Sequence, residues 1–330
     1  MPSKVFVATT GDGIARAAML ESGEWQVTCP VTDQAVACLA GDPLNRQTVY
    51  AGTQGAGVLR SDDAGITWRP VGLAGQIVKA LAVSPTQPGV VLAGTKPARL
   101  FQSADGGGTW REMPSFRRIP GRLWFSPAEK PFIGYVQAIA LSPTDPHRIA
   151  VGIEFGATVL SLDGGQTWLG HRRGALRDCH SLVFNARRGD WLYEGGGTGG
   201  GHAFSRDGGR TWLRTPEGLD RTYGWAVAAD GERPEVWYLS ASPGATKAHS
   251  ENNAQAGIFR HDGARWQRLG GGLPQPLDAM PYALITEPTE PGHVYAGLGN
   301  GEVWHSADHG DRWRRLPFRL GAIRRALVAL

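Results

Sequence analysis

One octet, written several times over, constrains this chain more than anything else in it. Ser61-Asp62-Asp63-Ala64-Gly65-Ile66-Thr67-Trp68 fits the frame Ser-x-Asp-x-Gly-x-Thr-Trp. So do the segments 103–110, 161–168 and 205–212, and Ser306-Ala307-Asp308-His309-Gly310-Asp311-Arg312-Trp313 keeps all but the threonine. In such a frame Ser and Asp accept hydrogen bonds from backbone N–H groups just ahead of them. The glycine takes a positive φ that other residues resist, the threonine opens a new strand, and the tryptophan supplies a large ring to tuck under the turn. Each octet therefore predicts a tight hairpin. The twelve-residue ligand pattern of an EF-hand is absent, and the aspartates Asp63, Asp105, Asp163, Asp207 and Asp308 are read as structural.

The repetition reaches beyond the octets. Leu81-Ala82-Val83-Ser84-Pro85, Leu141-Ser142-Pro143 and Leu284-Ile285-Thr286-Glu287-Pro288 are copies of an apolar strand closed by a proline turn, where the ladder cannot continue. A second strand follows each: Val91-Leu92-Ala93-Gly94, Ile149-Ala150-Val151-Gly152 and Val294-Tyr295-Ala296-Gly297. A third leads into the octet and a fourth starts at its tryptophan. Four antiparallel strands in a unit of about 40 to 60 residues describe a propeller blade. Trp25, Trp68, Trp110, Trp168, Trp212, Trp266 and Trp313 mark seven of them.

The ends agree with that count. Residues 4–27 supply only strands two to four of a blade. The segment Ala322-Ile323-Arg324-Arg325-Ala326-Leu327-Val328 resembles the first strand Gln76-Ile77-Val78-Lys79-Ala80-Leu81-Ala82. The expectation is an all-β fold, one seven-bladed propeller over residues 1–330, with 322–330 joining 4–27 to close the ring and leave no free edge. The other blades fall near 35–71, 77–113, 135–170, 180–214, 224–269 and 281–316.

Composition adds exclusions. The net charge of +4 is mild, with no basic tail of the kind that binds nucleic acid, and no apolar stretch is long enough for a signal peptide or membrane span. Cys29, Cys38 and Cys179 are odd in number and lack metal-ligand spacing, which points to reduced thiols in a cytoplasmic protein.

On these octets the chain resembles the Asp-box, or bacterial neuraminidase repeat, propellers. That group includes sialidases, xyloglucanases, polysaccharide lyases, sorting-receptor domains and a photosystem assembly factor. The resemblance implies the fold and a structural octet turn remote from the ligand; it does not imply an activity. Phe116-Arg117-Arg118-Ile119-Pro120 is similar to the sialidase Phe/Tyr-Arg-Ile-Pro motif, but an extra arginine interrupts it and it follows two octets instead of preceding them. Xyloglucanases hold their carboxylates between two propellers, and only one is present here.

If the octets join strands three and four, the opposite face carries the other two loop sets, around the mouth of the central channel. Those of blades three to six are long and chemically loaded. Candidate anion-binding residues are Arg117, Arg118, Arg172, Arg173 and Arg177; candidate ligand-contacting residues are Trp124, Trp225, Tyr282, His202 and His249. Candidate acid–base residues are Asp178, His180, Glu194 and Tyr223. His180 and Tyr223 suit a lyase in which an arginine neutralises a uronate, and carboxylates including Glu154 and Asp278 suit glycoside chemistry. His171, His180, His202 and His249 lack metal-site spacing, so no metal ligand set and no cofactor is assigned. Two readings follow: a ligand-binding or hydrolase/lyase-like site for a carbohydrate-like or carboxylated molecule, or a non-catalytic scaffold for an acidic protein segment. Nucleic acid and membrane are not expected partners.

Overall fold

The octets fold as hairpin turns, and their hydrogen bonds show why the frame is fixed. In the octet of Asp207, Ser205 Oγ donates to Asp207 Oδ1 at 2.8 Å and accepts from Gly209 N at 2.8 Å. Thr211 N donates to Asp207 Oδ1 at 2.9 Å and the Thr211 hydroxyl to Oδ2 at 2.6 Å. Asp63, Asp105 and Asp163 repeat the arrangement. At Asp308 the Arg312 N–H donates at 2.9 Å, and arginine has no hydroxyl to add. Trp212 Nε1 donates back to Gly209 O at 3.1 Å, which pins the ring beneath the turn.

In the computed structural model, which describes residues 4–122, 124 and 126–330, the strands pair into seven antiparallel sheets. Five have four strands. In the blades starting at Val136–Leu141 and Cys179–Phe184 the fourth strand shrinks to single bridges, Leu160–Leu169 and Phe204–Leu213. Leu327–Ala329 pairs with Val5–Thr9 through Val7–Val328 and becomes the inner strand of the first blade, so the ring closes as expected.

Seven apolar clusters of buried residues hold the ring, each shared by two neighbouring blades. Between blades two and three, for example, Tyr50 and Val58 pack against Val91 and Ala93. Burial of this kind, at about 25 cal/mol per Å² of apolar surface, makes each interface depend on both neighbours. Because strands alternate in direction, the proline turns and octets lie on one face, and the loops between strands two and three and between blades lie on the other. Among the described residues no helix is long and apolar enough to cross a membrane.

Candidate functional site at the channel mouth

Six inner strands are bulged at the same register. Val36 pairs with Thr53 and Cys38 with Gly52, so Ala37 is skipped; Lys79, Gln137, His180 and Tyr282 are skipped likewise, and Trp225 with Ala226 spans the shift in blade six. In blade one Arg325 takes the matching place, its N–H on Thr9 Oγ1. A bulge takes a side chain out of the usual alternation and re-aims it, often next to a functional site. Here Lys79, Gln137, His180, Trp225 and Arg325 line a cavity of about 170 Å³ in the channel, on the face opposite the octets.

Two lysines at this end are buried, Lys79 at 2% exposure and Lys96 at 4%. Both reach Glu129 of the long inter-blade loop, at 2.9 and 3.2 Å. Burial opposes the Glu129 charge, but the two ammonium groups outweigh it and hold the carboxyl below its ordinary value. Burial and the nearby Arg325 lower Lys79, against the pull of Glu129.

Beside them sits a buried triad. Glu154 follows the strand Ile149–Ile153, while Asp178 and His180 flank the start of Cys179–Phe184. Their ligand atoms all lie within 4.8 Å of one another. Burial pushes Glu154 up to about 7, opposed by His180 and reinforced by Asp178. Burial opposes the His180 charge as well, but the Asp178 and Glu154 carboxyls outweigh it and raise the imidazole.

A more open constellation lies toward blades six and seven. Tyr223 Oη and His249 Nε2 are 3.0 Å apart, and His249 Nδ1 and Tyr282 Oη 2.8 Å, a hydrogen-bonded Tyr–His–Tyr chain. Trp225 packs edge-on against both His249 and Tyr282, with ring centroids 5.2 Å away in each case. His249 reaches this position because the loop between Val236–Ser242 and Gly257–Asp262 makes a short helical turn, Ala245–Ala248, just before it. His249, Tyr282, Glu251, Asn300 and Arg324 share the walls of a pocket of about 280 Å³. Burial, then the His180 charge, lowers His249, which favours its neutral imidazole.

The other residues proposed from the sequence are dispersed. Glu194 is fully buried beneath the blade-five loop, accepting from Leu176 N at 2.8 Å and from the Thr158 hydroxyl, and burial pushes it up to about 7. Arg117 pairs with Glu112 on an outer strand, and Arg118 is exposed beside it. Arg172 donates to Arg210 O at the outer edge between blades, Arg173 is exposed, and Arg177 donates to Gly156 O. Trp124 packs on Phe116, with centroids 5.6 Å apart. His202 is buried against Trp266, accepts from Thr215 N, and is lowered to about 4 by burial. The four histidines considered together do not converge; among the described residues the metal-like grouping is Glu154, Asp178 and His180.

Lys79, Lys96, Glu129, Gln137, Arg324 and Arg325 are not among the residues that the loop sequences single out. A signal was present in the inner strands. Val78-Lys79-Ala80-Leu81, Val136-Gln137-Ala138-Ile139, Cys179-His180-Ser181-Leu182, Pro281-Tyr282-Ala283-Leu284 and Arg324-Arg325-Ala326-Leu327 align as a channel-facing residue, a small residue and a branched apolar one.

No protein-family model and no curated protein matches the sequence. Among solved structures it is similar to the GH74 xyloglucanase from Xanthomonas campestris, with 20% identity and TM-score 0.62 over 96% of this chain and 47% of that one. The GH74 enzyme of Niastella koreensis gives 16% identity and TM-score 0.67 over 94% and 52%. The YCF48 structure bound to D1 peptide gives 13% and 0.57 over 96% of this chain and 84% of that one. The chain thus spans about half the length of the two GH74 enzymes and most of YCF48. At these identities the likeness is one of fold, and the chain is a seven-bladed β-propeller.

Proposed function

We propose that this is an Asp-box propeller that binds a carboxylated, carbohydrate-like ligand at the channel mouth opposite the octets, and acts on it in the manner of a lyase or hydrolase. The observation that carries the reading is the Tyr223–His249–Tyr282 chain, whose His249 and Tyr282 wall a pocket together with Arg324. A neutral imidazole bonded to two phenols is suited to take a proton and pass another on. A guanidinium in the same pocket is suited to hold a carboxylate and to stabilise the charge that develops when the adjacent carbon loses its proton. Trp225, edge-on to His249 and Tyr282, adds an aromatic surface of the kind sugars pack on. The three cysteines are unpaired, which fits a reducing cytoplasm.

A second reading, a scaffold for an acidic peptide, is favoured by one fact. The chain matches most of YCF48, solved with a peptide, but only about half of each GH74 enzyme. Calorimetric titration with acidic oligosaccharides, neutral oligosaccharides and acidic peptides separates the readings. The expected result is binding of the acidic saccharides, weakened about tenfold by Arg324→Ala, with turnover to an unsaturated or hydrolysed product lost in His249→Gln. Binding of peptide alone establishes the scaffold; binding of neither class removes both.

A further inference from the structure

We propose that Glu154, Asp178 and His180 form a site for one divalent first-row transition cation. The three side chains are 5%, 2% and 6% exposed. Burying two carboxylates this close together is costly unless a cation or a proton stands between them. Their hydrogen bonding is also incomplete, since Glu154 Oε2 and Asp178 Oδ1 are buried with no partner in the protein. Buried polar atoms are nearly always satisfied, and two orphans on carboxylates of one cluster point to an occupant the side chains do not supply.

The histidine is set for the same role. His180 Nδ1 lies 2.8 Å from Gly224 O, and a carbonyl can only accept, so Nδ1 carries the hydrogen. This leaves Nε2 as the ring atom next to Asp178 Oδ2, 3.6 Å away, where a bound cation would take the place of a proton. Pinning one ring nitrogen on a backbone carbonyl so that the other can ligate is the common outer-shell arrangement of metal-bound histidine. Donors about 2.1 Å from a shared ion stand about 3 to 3.4 Å apart, so the Asp178–His180 spacing is already near that value. One imidazole and two carboxylates, without thiolate, suit zinc or manganese. All three donors flank strand ends of two adjacent blades, and the channel cavity lined by His180 provides a route in. The charged groups on the facing elements are Arg325 and Lys79. Lys79 is paired with Glu129, and the Arg325 guanidinium donates to Gln137 Oε1 at 3.0 Å. This site is independent of the ligand reading above, because it is measured without any saccharide or peptide.

The test begins with full-length protein stripped by chelator, then titrated calorimetrically with Zn²⁺ and with Mn²⁺, with bound metal counted by mass spectrometry after desalting. The expected result is one ion per chain, a raised melting temperature, and affinity weakened more than tenfold in Glu154→Gln and in Asp178→Asn, but unchanged in His293→Gln, a half-buried histidine beside His305 in the seventh blade. Wild-type affinity in the first two variants, or binding of neither ion by the stripped wild type, overturns the proposal. Should either variant fail to fold, the Co²⁺-loaded wild type decides. An absorption spectrum without a thiolate charge-transfer band supports the site, and one with that band moves the ion to a cysteine and overturns it.

Discussion

Glu194→Gln tests how a buried carboxyl sets the pH dependence of this fold. Glu194 is fully buried, and its carboxyl is raised by that burial from an ordinary 4.5 to about 7. The folded protein therefore keeps this proton up to pH 7, whereas the unfolded chain releases it near 4.5. The group's favourable contribution is complete below 4.5, declines as pH rises at about 1.4 kcal/mol per pH unit, and is lost above 7. The whole displacement corresponds to about 3 kcal/mol. Glutamine is nearly isosteric, keeps a carbonyl to accept from Leu176 N, and does not titrate. Urea unfolding followed by tryptophan fluorescence at pH values from 4.5 to 8 gives the comparison. The stability of Glu194→Gln relative to the wild type should improve by about 2 to 3 kcal/mol between the lowest and highest pH. Parallel pH profiles for the two proteins would refute the reasoning, because they would mean that Glu194 releases its proton at the same pH folded and unfolded.

Other consequences can be checked in the same assay. Glu129→Gln removes the carboxylate shared by Lys79 and Lys96 and should destabilise by about 1 to 2 kcal/mol, reduced from the fully buried case because Glu129 itself is partly exposed; adding Lys79→Met should recover part of the loss. Asp207→Ala should cost about 1 kcal/mol more than Asp308→Ala, since both accept a serine hydroxyl but only Asp207 accepts a threonine hydroxyl as well. Deleting residues 322–330 leaves the edge of Val5–Thr9 unpaired, and size-exclusion chromatography should show concentration-dependent association that the full chain lacks.

The fold was legible because each octet is locally self-sufficient. Asp207 bonds to residues three and four ahead of it, so its partners lie within one short window of sequence. The ring closure was legible too, since 322–328 repeats the inner-strand pattern of 76–82. The site was less so. Tyr223, Trp225, His249 and Tyr282 were named from loops and junctions and do meet. Arg117 and Arg172 drew notice as charged loop residues, yet one is held by Glu112 of the outer strand just before it and the other by the next blade's turn, interactions that charge alone does not announce. Lys79 and Gln137 were obscured for the opposite reason. A polar residue inside an apolar strand reads as a surface position, and only a bulge, invisible without the partner strand, turns it into the channel.

The closing strand also fixes when a site can exist. Arg324 and Arg325 reach the mouth only once Leu327–Ala329 has docked beside Val5–Thr9, so residues from opposite ends of the chain must meet before the pocket has its full charge. During synthesis the first blade stays an incomplete sheet until residues 327–329 have emerged to pair with it. A chain cut before residue 322 would carry an open first blade and a channel mouth without Arg324 and Arg325.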